Sequence, residues 1–111
     1  MNITHDWTGA PIPRPARLSL RLYVAGTRPR AELAKANLRR LCTGLGVNQP
    51  LVDIVDVFQQ PEQSLFDNII ATPTLVRLSP KPVLKILGTL SDLARVRAAL
   101  GLAAPVEKAK A

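Results

Sequence analysis

From Leu18 to Gly26 the apolar positions alternate, with Leu18, Leu20, Leu22 and Val24 on one side. A period of two predicts a strand with a buried face. Gly26 ends it, and Thr27 to Arg30 form a turn in which Pro29 suits the first turn of a helix. Ala34, Leu38, Leu41, Cys42 and Leu45 then recur at helical spacing. Gly44 or Gly46 supplies the stop. Leu51 to Val57 is rich in β-branched residues and predicts a second strand. Gln59-Gln60-Pro61-Glu62 opens a second helix, with Pro61 at its start and Glu62 favourable near the positive helix end. Leu65, Phe66, Ile69 and Ile70 are expected to form its apolar face.

The stretch Ile69-Ile70-Ala71-Thr72-Pro73-Thr74-Leu75 organises the rest. The proline ring pushes Thr72 out of the helical region, so the helix stops before it. Pro73 cannot donate to a ladder and belongs at a strand start or on an edge. A cis Thr72-Pro73 bond is expected here. Thr74 to Leu78, the turn Ser79-Pro80-Lys81-Pro82, and Val83 to Gly88 read as a β-hairpin. Ser91 is the expected N-cap of the last helix, Asp92 suits its first turn, and Leu93, Val96, Ala99 and Leu100 make its stripe. Gly101 ends it. The order β-α-β-α-β-β-α resembles that of thioredoxin-like α/β folds. Its βαβ half supplies parallel strands with a right-handed crossover, and its ββα half adds an antiparallel pair, giving a mixed sheet.

At 111 residues the chain has length for one small domain, placed at 17–102. Residues 1–16 and 103–111 lack periodicity and read as flexible tails. Hydrophobic residues at 47% argue for a folded protein. No apolar run approaches the ~20 residues that span a bilayer. The N-terminus has no basic segment followed by an apolar one, which argues against secretion. A lone Cys42 fits a reducing cytoplasm. The formal charge of +7 suggests nucleic acid or an acidic partner. Aromatics at 4% give no stacking platform, and neither helix-turn-helix nor zinc-ligand spacing occurs. An acidic protein partner is therefore favoured over nucleic acid.

Catalytic chemistry is hard to assemble. A redox thioredoxin carries Cys-x-x-Cys where this chain has Thr27-Arg28-Pro29-Arg30, so no dithiol exchange follows. Cys42 lies on the first helix stripe and reads as a buried small hydrophobe. His5 has no nucleophile beside it, and His5 with Asp6 is too few for a metal site. Asp53 and Asp56 stand three apart on one strand and point to opposite faces. Gly26, Gly44, Gly46 and Gly88 are isolated, not a phosphate cradle. Tyr23 and Phe58 read as core residues. The residues describe a binding module with no catalytic residue, metal or cofactor.

At Leu22-Tyr23-Val24-Ala25-Gly26-Thr27-x-Pro29 and Ile69-Ile70-Ala71-Thr72-Pro73-Thr74-Leu75 the chain resembles the KaiB family of circadian-clock proteins. Further matches are Val55-Asp56-Val57 before the Pro61 helix start, and Pro82-Val83-x-Lys85-Ile86-x-Gly88-x-Leu90-Ser91-Asp92. Together they run from about Arg17 to Leu102. The resemblance implies a non-enzymatic partner of KaiC, a ring-shaped ATPase and autokinase. Such partners dock on the ring, capture KaiA and displace the thioredoxin-like domain of the kinase SasA. It also implies two folds, the second being a tetramer-forming state with a different second half, and a proline-rich second half fits such a switch. The family pattern has Gly where this chain has Ala99 and Asp where it has Gly101. Gly to Ala in a helix contributes roughly 0.5–1 kcal/mol toward helix, so the thioredoxin-like state is expected to dominate.

A thioredoxin-like module binds through the surface around its cis-proline and helix starts. That nominates Arg28, Arg30, Asn68, Arg77, Lys81 and Lys85 as partner contacts. Thr72, Pro73, Gly88, Ala99 and Gly101 are the structural or switch positions. The alternative is a free-standing thioredoxin-like adaptor or sensor in signalling or stress, without redox activity. A hairpin edge limited by prolines leaves homo-oligomers open.

Overall fold

The computed structural model of the chain describes residues 3–5, 11–13, 17–43, 45 and 49–102. In chain order the elements are β1 (Ile3–His5), β2 (Pro11–Pro13), β3 (Ser19–Val24), α1 (Pro29–Thr43) and β4 (Leu51–Asp56). α2 (Pro61–Phe66), β5 (Thr74–Ser79), β6 (Leu84–Leu87) and α3 (Leu93–Leu100) follow. β3 lies inside a four-stranded sheet of order β4-β3-β5-β6. It runs parallel to β4 and antiparallel to β5, and β5 pairs antiparallel with β6. The mixed sheet and the order from β3 to α3 are those expected from the sequence, and β1 and β2 precede them.

The alternation on β3 is what places the core. Leu20, Leu22 and Val24 are almost completely buried and pack with Ala31, Ala34, Leu38 and Leu41 of α1 and Val96 and Leu100 of α3. Cys42 packs against the edge of this cluster. Burial raises the pKa of its thiol, so it remains a neutral, small apolar group. Tyr23 points the other way and joins Val55 and Val76 in a smaller cluster, flanked by Val57, Ile69 and Leu78. Asn37, buried on α1, donates to Thr89 O at 2.8 Å and joins α1 to the segment before α3.

Several local expectations are corrected. The N-cap of α3 is Asp92, whose carboxylate accepts the Arg95 N–H at 3.2 Å. The Ser91 hydroxyl instead bonds with that of Thr89. Gly101 closes the helix at φ 76°, a left-handed cap suited to glycine. Ala99 is exposed, because burial of Arg97 with Val96 and Leu100 turns the inner face of α3 away from it. α2 buries no residue at all. Leu65, Phe66 and Ile70 are 75%, 82% and 89% exposed. Their expected common face required a helix reaching residue 70. It ends at Phe66, and Asn68 at φ 55° redirects the chain, so only Ile69 of the four packs inward.

Thr72-Pro73 is cis, as are Ser79-Pro80 and Lys81-Pro82. Within the stretch expected to be an N-terminal tail, β1 and β2 form an antiparallel ribbon with Thr4 opposite Ile12. Prolines at both ends of β2 read as breakers, which hid it from the pattern. Asp6, Gly44, Gly46 and residues 103–111 lie outside the described residues.

Candidate partner-binding surface

β3 and β4 are parallel, so the loops that follow them leave the sheet at the same end. Asp56 ties these loops together, its Oδ1 accepting the Gly26 N–H at 3.1 Å and the Phe58 N–H at 2.9 Å. Val57 N–H extends the pairing to Val24 O at 2.8 Å. Gly26 sits at φ 62°, where a side chain would strain the backbone. The turn aims Phe58 outward, and it is 62% exposed rather than part of the core. The Arg28 guanidinium lies over the Phe58 ring, 5.4 Å from its centroid, a cation–π arrangement.

α1 begins at Pro29, next to the start of β5. Between them lies a groove of about 370 Å³, lined by Ala25, Arg28, Pro29, Arg30, Thr72 and Pro73, with Ala31 at its base. The Thr74 hydroxyl donates to Ala71 O at 2.6 Å and shapes the bend into β5. Gly88 N–H donates to Pro73 O at 2.9 Å, anchoring the far side of the proline. Gly88 itself is at φ 109°, a conformation that favours glycine. None of the described residues lining this groove carries sulfur.

Of the nominated residues, the fold therefore brings Arg28, Arg30, Thr72 and Pro73 together, with Gly88 bonded behind them. Asn68 and Lys85 form a second pair, the Lys85 ammonium donating to Asn68 O at 3.3 Å. Lys81 is exposed at the hairpin turn, at the other end of β5, roughly 20 Å along the strand from Pro73. Arg77 is not a surface contact. It is 8% exposed, and its guanidinium donates to Leu100 O at 3.0 Å and to Pro82 O at 2.9 Å. It joins the end of α3 to the hairpin turn, a role that its position on an alternating strand did not disclose. Ala99 and Gly101 lie on and just after α3.

A polar cluster went unnoticed in the sequence. Arg21 bridges Asp53 at 3.0 Å and Asp67 at 3.2 Å. The Tyr23 hydroxyl donates to Asp67 Oδ2 and, at 3.3 Å, to Gln63 O. Burial opposes the Arg21 charge, yet hydrogen bonds to Asp53 and its other neighbours outweigh it and raise its pKa. Burial, followed by the neighbouring Asp67 carboxylate, pushes the Tyr23 phenol up. The strand register sets Arg21 opposite Asp53. The phase of two predicted strands could have found that pair, but Asp67 could not be placed without the end of α2.

Among the described residues no group of three or more His, Cys, Asp or Glu could hold a metal ion, and no helix is long and apolar enough to cross a membrane. Sheet order, helix placement and the cis-proline groove define a thioredoxin-like domain without the redox dithiol. Solved structures agree on the fold. The N-terminal domain of Synechococcus elongatus SasA matches with a TM-score of 0.63 at 21% identity, over 86% of this chain and 92% of that one. Mitochondrial thioredoxin 3 from Saccharomyces cerevisiae matches with a TM-score of 0.62 at 15% identity, over 77% of each chain.

The particular family follows from sequence. A family model described as the KaiB domain matches residues 21–102. The chain is 38% identical over 80 residues to circadian clock protein KaiB3 of Synechocystis sp., covering 72% of this chain and 78% of that protein. It is 40% identical over 83 residues to circadian clock oscillator protein KaiB of Synechococcus sp., covering 75% and 76%. The chain belongs to the KaiB family.

Proposed function

We propose that this protein is a non-enzymatic regulator that docks on a KaiC-type ring ATPase and controls which other proteins reach it, and through that its phosphorylation state. Membership of the KaiB family is the observation that carries this reading. The fold supports it, since the chain adopts the arrangement shared with the SasA domain, as expected of proteins that compete for one surface. Partners resembling KaiA or SasA fit the same scheme. In this reading the chain works mainly in the thioredoxin-like arrangement, with α3 helical through Ala99 and capped at Gly101.

Light scattering coupled to size-exclusion chromatography tests it. The protein is mixed with the KaiC-type ATPase of the same genome in ATP and then in ADP. A nucleotide-dependent complex that co-elutes is the expected result, and its mass gives the stoichiometry. Absence of a complex in both nucleotides contradicts ring docking and leaves a free-standing thioredoxin-like adaptor.

A further inference from the structure

Two arginines are buried where α3 crosses the sheet. Arg77 stands on β5 opposite Leu20, and Arg97 belongs to the last turn of α3. They are 8% and 9% exposed, and among the described residues neither Arg77 Nε nor Arg97 Nη1 has a hydrogen-bond partner. A guanidinium keeps its charge on burial, so an open buried N–H leaves that charge uncompensated. The two elements meet at Leu100. Its carbonyl accepts Arg77 Nη1 at 3.0 Å, and Arg97 precedes it by one turn. Other carbonyls of the helix end are taken, Ala98 O by the Gly101 N–H and Arg97 O by the Leu102 N–H.

The carboxylates of the described residues are engaged elsewhere. Asp53 and Asp67 hold Arg21, and Glu32 pairs with Lys35. Asp56 accepts the Gly26 and Phe58 N–H groups, and Asp92 caps the opposite end of α3. Glu62 is in the first turn of α2, on the Tyr23 face of the sheet. Buried polar groups are almost always paired, and an open one points to a missing water or ion. Two cationic forks at one helix end select an anion, which accepts charge-assisted hydrogen bonds.

We propose that Arg77 and Arg97 form an oxyanion site at the C-terminal end of α3, taking a phosphate or carboxylate group. A helix end opens more readily than the core, which gives the anion its entry. The site is separate from the groove beside Pro73 and does not depend on ring docking. Two sources share the chemistry: a free oxyanion, or the Glu107 side chain from residues 103–111.

The test is thermal unfolding of the full chain and of Arg97→Met, in chloride and in millimolar inorganic phosphate at equal ionic strength. With a free anion, the Met variant melts higher in chloride, because it removes an uncompensated buried charge. Phosphate then raises wild type by about 4 °C or more, saturably, and leaves the Met variant unmoved. The side-chain Nε–H resonances of Arg77 and Arg97 shift together in the same titration, a readout that needs no variant. If Glu107 fills the site, wild type ignores phosphate. Glu107→Gln then melts lower and gains the phosphate response, and neither effect survives on the Arg97→Met background. An equal rise in wild type and Arg97→Met, or a rise that does not saturate, is a general salt effect and overturns the proposal. So does the absence of any response in both wild type and Glu107→Gln, or a shift at one arginine without the other.

Discussion

The two faces of the sheet are built on different principles. Under α1 and α3, Leu20, Leu22, Ala34 and Leu41 are fully buried and the packing is almost wholly apolar. On the α2 side, three buried residues form the cluster, and the hydrogen bonds of Tyr23, Arg21 and Asp67 help hold the short helix in place. Leu51 of the edge strand β4 stays roughly half exposed on this side, as Leu65, Phe66 and Ile70 stay bare. The first face holds the larger buried cluster. The second is held by a few directional contacts and leaves apolar surface uncovered, so its order should be separable from global stability.

Four substitutions sharpen that contrast. Leu22→Ala removes a completely buried side chain and should cost about 2–5 kcal/mol in urea unfolding. A smaller loss would mean that the α1 face repacks. Asp67→Asn weakens the bonds to Arg21 and Tyr23 and should cost about 1–3 kcal/mol. Hydrogen exchange should then rise in α2 well before β3, and a uniform rise across both would erase the distinction between the faces. Tyr23→Phe should cost about 0.5–1.5 kcal/mol and carries a pH signature. The Tyr23 pKa is raised in the fold, so its contribution is complete below the unfolded value of about 10 and is lost as pH rises through the folded value. Wild type should lose stability over that alkaline window, and the Phe variant should lose less. Phe66→Ser, on the bare surface, should stay within about 0.5 kcal/mol of wild type.

The same contrast explains what the sequence disclosed. Periodic burial is legible, so β3, α1 and the hairpin fell where Leu20, Leu38 and Leu75 put them. The stop at Pro73 was legible because its physics is local. Phe58 and α2 were misread because apolar composition stands for burial only when an element is long enough to reach a core. α2 ends after six residues, and Asp56 turns Phe58 outward by a bond that periodicity does not record. Arg77 was misread for the opposite reason. A charge on a strand reads as surface, and its two carbonyl acceptors come from α3 and from the hairpin turn. In the candidate site, Arg28, Arg30, Thr72 and Pro73 line one groove because both segments flank one end of β3. Lys81 lies at the far end of β5, in the hairpin turn, away from this groove.

The most direct test of the account is hydrogen–deuterium exchange on this protein with and without the KaiC-type ring. Protection is predicted at Ala25 to Ala31 and at Thr72 to Thr74, with β4 and α2 left exchanging as in the free chain. Protection confined to β4 and α2, with the groove unchanged, would contradict it.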